Sequence, residues 1–194
     1  MAAYLTPLIG DQAGVVARQL LAHFGTIARS VDASPEALVA ALPQHNAAAA
    51  AICAARELMR FAANEQLVGQ KVRSDDKLLH GYLRARLHNP VEERMHAIFL
   101  NQDHIFLAGE DVAVGTLGAM LMRIRHLVHR ALDLGANGLL IAHNHPSGSC
   151  RPSDSDCKST EDLISIAHAL EIQVIDHLII STDGIFSMQK GQQI

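Results

Sequence analysis

The segment that decides the fold is GANGLLIAHNHPSGSCRPSDSD, residues 135–156 of a 194-residue chain. It contains a short uninterrupted apolar run, NGLLIAH over 137–143, which is typical of a strand buried on both faces of a sheet. Pro146-Ser147-Gly148 then turns the chain, and a helical pattern follows over 153–171. A buried strand followed directly by a helix predicts an α/β arrangement.

The segments on either side extend this pattern into a mixed sheet. HAIFLN and HIFLAG flank the turn residues Gln102-Asp103 and predict a hairpin. Helical spacing over 116–134 separates this hairpin from the buried strand. QVIDHLIIS (173–181) and IFSMQ (185–189) predict the last strands. We therefore expect an α/β fold with a mixed sheet.

The residues before the sheet have a different pattern, in which apolar positions recur at helical spacing up to about residue 66. Ser34 followed by Pro35 is a helix start signal. Residues 67–76 are polar and contain Gly69, which indicates a linker, and a further helix over 76–88 ends at Asn89-Pro90. The sequence thus predicts a small all-helical domain over 1–66 and an α/β domain over 77–194.

Composition narrows the classes of function. The net charge is -4 and aromatic residues make up 4%, which disfavours a basic duplex-binding surface and a stacking platform for single strands. Three cysteines without regular spacing indicate no disulfide framework. With no signal-peptide pattern and no long apolar span, we expect a cytoplasmic protein that does not enter membranes.

The chemistry-bearing residues are His143, His145 and Asp156. Strand side chains alternate between faces, so two histidines two residues apart at a strand end point the same way. Asp156 follows at the start of the next helix and completes a His-His-Asp set. Three protein ligands leave one position for water, which is the layout of a catalytic zinc site.

Zinc-activated water needs a base, and a carboxylate near the metal is the usual choice. Glu93 opens the first strand and is our candidate; the adjacent Glu92 would face the opposite way. The Ser153 hydroxyl is a candidate donor to the developing oxyanion. Ser153 and Asp156 also fit a helix-capping arrangement, and Cys150 and Cys157 flank the ligands as alternative thiolate donors; we interpret both cysteines as bystanders.

The spacing His143-Asn144-His145, seven residues, Ser153, two residues, Asp156 resembles the JAMM (MPN+) metallopeptidase pattern H-x-H-x7-S-x2-D. The wider strings GANGLLIA, HNHPSG and VIDHLIIS, together with GYLRARL and EERMHAIFLN, resemble the bacterial RadC (UPF0758-like) family over about residues 77 to 190. This resemblance implies a JAMM/MPN, cytidine-deaminase-like fold, a Zn²⁺ ion and hydrolysis of a peptide or protein substrate.

The N-terminal residues resemble the family's helical region through LLAHFGTIARSV and AARELMRF. Related proteins usually carry a glycine-containing helix-hairpin-helix turn there, whereas this chain has Pro43-Gln44-His45-Asn46, a degenerate version without nucleic-acid-binding residues that we can assign. The leading hypothesis is a zinc-dependent hydrolase of a peptide, isopeptide or similar amide bond. The alternatives are a DNA-associated, repair-type accessory protein and a scaffold that retains a structural zinc ion.

Overall fold

The computed structural model describes residues 1–87, 92–114 and 120–194. These residues form two compact units, Met1–Phe61 and Ala62–Ile194. The helices are α1 (Ala2–Ile9), α2 (Ala13–Phe24), α3 (Ile27–Asp32), α4 (Pro35–Ala41), α5 (Asn46–Leu67), α6 (Lys77–Leu87), α7 (Met120–Asp133) and α8 (Asp154–His168), with a short 3₁₀ turn at Gly10–Gln12. The strands are β1 (Arg94–Leu100), β2 (Phe106–Val114), β3 (Gly138–Asn144), β4 (Gln173–Ile180), β5 (Ile185–Ser187) and β6 (Gln192–Gln193).

The first unit is all helical, as its sequence pattern predicts. Its core consists of small and branched apolar side chains, with Val16, Leu20 and Leu38 fully buried. The predicted start of α4 is confirmed: the Ser34 hydroxyl accepts a hydrogen bond from the Ala37 amide at 3.1 Å, and Pro35 occupies the first turn. Capping of this kind satisfies amide groups that the helix leaves without a partner.

The second unit contains a six-stranded mixed sheet in the order β2-β1-β3-β4-β5-β6. The pair β3–β4 is parallel and is connected through α8, whereas β1 pairs with β2 and with β3 in antiparallel fashion. The predicted hairpin, buried strand, crossover helix and final strands are all present. The predicted fold class, a mixed-sheet α/β domain preceded by a helical region, is confirmed.

Strand β3 lies at the centre of the sheet, and all seven of its residues are buried. Leu140 and Ala142 face one side, where α6 and the end of α5 pack. Leu139 and Ile141 face the other side, where α7 and α8 pack. Burial on both faces explains why this strand is a continuous apolar run rather than an alternating one.

Residues 67–76, which the sequence suggests as a linker, pair with the turn between β1 and β2. The Val72 amide donates to the His104 carbonyl at 2.8 Å, and the Phe106 amide donates to the Gln70 carbonyl at 2.9 Å. Lys71 forms a β-bridge with Ile105. These hydrogen bonds make the segment part of the second unit.

Some sequence predictions fall outside the described residues: the helix-ending pair Asn89-Pro90 and the first residues of the helix predicted over 116–134. None of the helices in the described part of the chain is long and apolar enough to span a membrane.

A polar network on the α6 side of the sheet joins the buried Tyr82 and His96 to the exposed Asp111. The Tyr82 hydroxyl is hydrogen bonded to His96 Nε2 at 2.8 Å, and His96 Nδ1 is 2.6 Å from Asp111 Oδ1. Gly109 lies against this pair, where a Cβ atom would overlap the Tyr82 hydroxyl. Burial, together with the nearby Asp111 charge, raises the pKa of Tyr82 to about 12, against a smaller opposing effect of Arg86.

This shift predicts a stability loss at high pH. The pKa of Tyr82 is higher in the folded than in the unfolded state. The contribution of Tyr82 to the free energy of unfolding is therefore complete below pH 10 and is lost as pH rises toward 12. This contribution is about 2–3 kcal/mol. Tyrosinate absorbance of the wild type should show an ionisation near pH 12 that Tyr82→Phe lacks. An ionisation of Tyr82 near the pH of a free tyrosine would contradict this account.

Candidate metal centre

Two histidines lie at the end of β3. His143 is within the strand, and His145 follows its last residue, Asn144. The His145 amide donates to the Ile180 carbonyl at 2.9 Å, which continues the pairing with β4. The chain then turns through Gly148, whose φ of 95° suits glycine. Continued strand pairing therefore holds both imidazoles on the same face, toward α8.

The third residue, Asp156, is buried in the first turn of α8. Its Oδ2 accepts hydrogen bonds from the Ser153 amide at 2.7 Å and from the Ser153 hydroxyl at 2.6 Å. Its Oδ1 is buried and accepts no hydrogen bond from the residues that the structure describes. One carboxylate oxygen thus completes the helix cap, while the other is left available for a cation.

These three side chains, here called the His-His-Asp cluster, converge on one point. His143 Nε2 lies 2.9 Å from His145 Nε2 and 3.3 Å from Asp156 Oδ1. His145 Nε2 lies 3.5 Å from Asp156 Oδ2. A tetrahedral zinc ion with bonds of about 2.0–2.1 Å separates its ligand atoms by about 3.3 Å. The cluster therefore has the donor set and the spacing to hold such an ion.

The tautomer of His145 is set by its backbone contact. His145 Nδ1 is 2.9 Å from the Ser149 carbonyl oxygen, which can only accept, so Nδ1 carries a proton. Nε2 is the atom that faces His143. Two nitrogen lone pairs 2.9 Å apart repel each other, so a proton or a cation must lie between the two Nε2 atoms.

The pKa values of the cluster agree with this arrangement. Burial lowers the pKa of His143 to about 4, despite the opposing charge of Asp156. Hydrogen bonding to Asp156 raises the pKa of His145, against a smaller effect of burial. Burial would raise the pKa of Asp156, but hydrogen bonding to His145, the His143 imidazole and Ser153 hold it well below its usual range. At neutral pH the cluster therefore presents a neutral His143 and an ionised Asp156, both suited to bind a metal.

Glu93 lies just before β1, two residues ahead of Met95. Met95 pairs with His143 in the antiparallel β1–β3 register. Residues two apart in an extended segment share a face, so Glu93 is expected on the face that carries Met95 and His143. The Glu93 charge also contributes to the raised pKa of His145. Its partly buried carboxylate forms no hydrogen bond or ion pair with the described residues.

The remaining residues that the sequence analysis names near the metal ligands are Glu92, Ser153 and two cysteines. Glu92 is more exposed and lies 3.8 Å from the Arg94 guanidinium. The exposed Ser153 caps α8, because its hydroxyl accepts from the Asp156 amide at 3.2 Å, and the same hydroxyl donates to Asp156 Oδ2 at 2.6 Å. Cys150 is buried and Cys157 is exposed. Neither cysteine belongs to the group of potential metal ligands found among the described residues.

Comparison of the sequence with known protein families gives a match over the residues that carry this site. The RadC-like JAB domain model matches residues 73–193, which include the whole His-His-Asp cluster and Glu93. The chain belongs to the RadC family. The RadC match begins within the segment that pairs with the β1–β2 turn, so it covers the sheet together with its flanking helices.

Curated relatives extend the RadC similarity over nearly the whole chain. A UPF0758 protein of Paraburkholderia phytofirmans is 32% identical over 95% of this chain and 71% of its own length. A UPF0758 protein of Bordetella petrii is 36% identical, covering 88% and 76%. One of Pseudomonas fluorescens is 33% identical, covering 94% and 82%. The helical N-terminal region is therefore shared with these relatives.

Sequence reasoning missed two residues beside the cluster. His177, a buried residue of β4, has its Nε2 2.7 Å from His143 Nδ1. Thr160 lies on α8, with its hydroxyl 2.6 Å from His177 Nδ1. The available signal was a histidine in the strand that follows the ligand-bearing helix, but its role depends on the β3–β4 register.

Proposed function

We propose that this chain is a zinc-dependent hydrolase of the JAMM type that cleaves a peptide, isopeptide or similar amide bond. The observation that carries the proposal is the His-His-Asp cluster, in which the buried Oδ1 of Asp156 has no hydrogen-bond donor among the described residues and faces the His143 imidazole, while His145 lies beside Oδ2. An unsatisfied buried carboxylate oxygen is costly unless a cation meets it. Membership of the RadC family supports the same assignment.

In this proposal His143, His145 and Asp156 are the metal ligands. A bound zinc ion would supply a Lewis acid for the scissile carbonyl and would lower the pKa of an attacking water. Asp156 provides the negative ligand, and its second oxygen remains anchored to Ser153, which fixes the direction of the carboxylate. The two imidazoles bind through Nε2, the atoms that face each other across the cluster.

Glu93 is the proposed general base. It takes a proton from the attacking water and passes it to the leaving nitrogen, which balances the hydrolysis of an amide. Its charge acts on His145, and it has no competing hydrogen bond with the residues that the structure describes; both observations support this role. Ser153 is the proposed oxyanion donor; its hydroxyl would have to turn from Asp156 toward the carbonyl oxygen of the substrate, and its exposure at the helix start supports access to substrate.

The proposed substrate is a peptide or protein rather than nucleic acid. The net charge of -4 argues against affinity driven by phosphate neutralisation. A DNA-associated accessory role remains the competing proposal, and a structural zinc site would accompany it. A cytoplasmic location is proposed from the cysteine usage, since three free thiols suit a reducing compartment.

The direct test is hydrolysis of a panel of fluorogenic peptides and lysine-isopeptide conjugates by the purified, zinc-loaded chain. We expect cleavage of at least one class, its loss when zinc is removed with a chelator, and its return when zinc is added back. Cleavage that persists in the metal-free protein would contradict the proposal. Zinc binding without any cleavage, combined with salt-dependent retardation of DNA, would favour the accessory role.

A further inference from the structure

The buried face of His143 contacts a second histidine. His143 Nδ1 is 2.7 Å from His177 Nε2, and both side chains are almost completely buried. His177 comes from β4, the parallel neighbour of β3. His143 therefore uses Nε2 toward the cluster and Nδ1 toward the interior of the fold, and the hydrogen bond at Nδ1 decides which nitrogen carries the proton.

The contact continues through two more hydrogen bonds. His177 Nδ1 is 2.6 Å from the Thr160 hydroxyl, and that hydroxyl is 2.6 Å from the main-chain carbonyl oxygen of Asp156. The Thr160 hydroxyl also has the Met188 sulfur at 3.5 Å, a longer contact to a weaker acceptor. The chain of hydrogen bonds thus starts at one cluster residue and ends on the backbone of another.

The Asp156 carbonyl at the end of this series of hydrogen bonds fixes which group donates and which accepts at each step. A carbonyl oxygen can only accept, so the single proton of the Thr160 hydroxyl points to Asp156. The hydroxyl oxygen must then accept from His177 Nδ1. Neutral imidazole has one donor and one acceptor, so His177 Nε2 accepts from Nδ1 of His143.

We propose that His177 and Thr160 are positioning residues that hold His143 in the tautomer whose Nε2 lone pair faces the His-His-Asp cluster. The tautomer follows from the hydrogen bonds that join His143 through His177 and Thr160 to the Asp156 carbonyl; its use for metal binding rests on the proposed function. The reverse direction would put a proton on His143 Nε2 and would bring the Thr160 and Asp156 oxygens within 2.6 Å without a proton between them. A lone pair aimed at the metal is the form in which imidazole binds a cation.

A matched pair of variants tests this series of hydrogen bonds from His143 through His177 and Thr160, here called the relay. Thr160→Val keeps the shape of the side chain and removes the acceptor for His177, whereas Thr160→Ser keeps the hydroxyl and loses only a methyl group. Two-dimensional ¹H–¹⁵N NMR of the histidine rings reports the tautomers in metal-free protein. We expect the Nδ1–H form of His143 in the wild type and in Thr160→Ser, and a shift toward the Nε2–H form in Thr160→Val. His143 protonated at Nε2 in the wild type would overturn the proposal, even if Thr160→Val does not fold.

Zinc affinity, measured by competition with a fluorescent chelator, gives the second readout. We expect Thr160→Val to bind zinc about 10–100-fold more weakly than the wild type, as when the hydrogen-bonding partner of a ligand is removed, and Thr160→Ser to remain close to the wild type. Equal affinity in a folded Thr160→Val would overturn the positioning role. A wild type that binds no zinc would instead refute the proposed function, while the tautomer measurement would still decide the relay.

Discussion

Glu93→Gln is expected to retain zinc and to lose turnover by about 10²–10⁴-fold, the usual contribution of a general base. The amide that replaces the carboxylate has a similar size but cannot take up a proton. Because Glu93 is not one of the three cluster residues, metal binding should not depend on it. The measurement is kcat on the best substrate of the peptide panel, together with zinc content by mass spectrometry.

Glu92→Gln is the matched control. It removes the same charge one residue earlier, from a more exposed carboxylate that contacts Arg94. Its kcat should stay near that of the wild type, because successive residues of an extended segment face opposite ways. An equal loss of kcat in both variants would indicate that the removed negative charge, and not a general base at Glu93, affects turnover. Full turnover in Glu93→Gln would remove Glu93 from the mechanism.

The second large effect is expected on zinc-linked stability. Zinc at a thousandfold excess over its Kd should stabilise the folded wild type by about 4 kcal/mol, because it binds the folded cluster and not the unfolded chain. His145→Ala removes one of the three ligands, and its zinc affinity should fall by more than the roughly 100-fold expected when only a ligand's hydrogen-bonding partner is lost. At the same zinc concentration, the increase in Tm should therefore fall to about a third of the wild-type increase or less in this variant.

His126→Ala provides the comparison for His145→Ala. His126 is an exposed histidine on α7 in the same unit. Differential scanning fluorimetry with and without zinc should give this variant the same Tm increase as the wild type. If His145→Ala kept the full increase, the zinc that stabilises the chain would be bound elsewhere.

The features that sequence predicted well are local ones. The two histidines at the end of β3 share a face because strand alternation is a property of adjacent residues. The spacing of Ser153 and Asp156 fits both a helix cap and a metal site, and the two histidines favour metal for Asp156. The structure makes the two roles compatible, because Oδ2 of Asp156 completes the cap whereas Oδ1 faces His143.

The features that sequence could not predict depend on register between distant segments. His177 reaches His143 only because β4 pairs with β3 in a parallel register that shifts between Leu139 and Leu140. Thr160 reaches His177 only because α8 packs across that pair of strands. Hydrophobic periodicity predicts which side chains share a face of a strand or helix, but not the register between two strands. It therefore cannot predict these contacts.

The linker over 67–76 illustrates the same limit. Its polar composition and Gly69 are typical of a connection, yet Gln70 and Val72 exchange backbone hydrogen bonds with the residues around the β1–β2 turn. These hydrogen bonds join main-chain amides and carbonyls, so the hydrophobicity of the side chains does not predict them. The boundary between units therefore falls within α5, after Phe61.

The most direct test of the central claim is the anomalous scattering of a zinc-loaded crystal, recorded on both sides of the zinc absorption edge. We expect one zinc peak bonded to Nε2 of His143, Nε2 of His145 and a carboxylate oxygen of Asp156, with the remaining position held by solvent. No zinc peak within the His-His-Asp cluster, or a fourth position filled by a protein side chain such as that of Cys150, would contradict it.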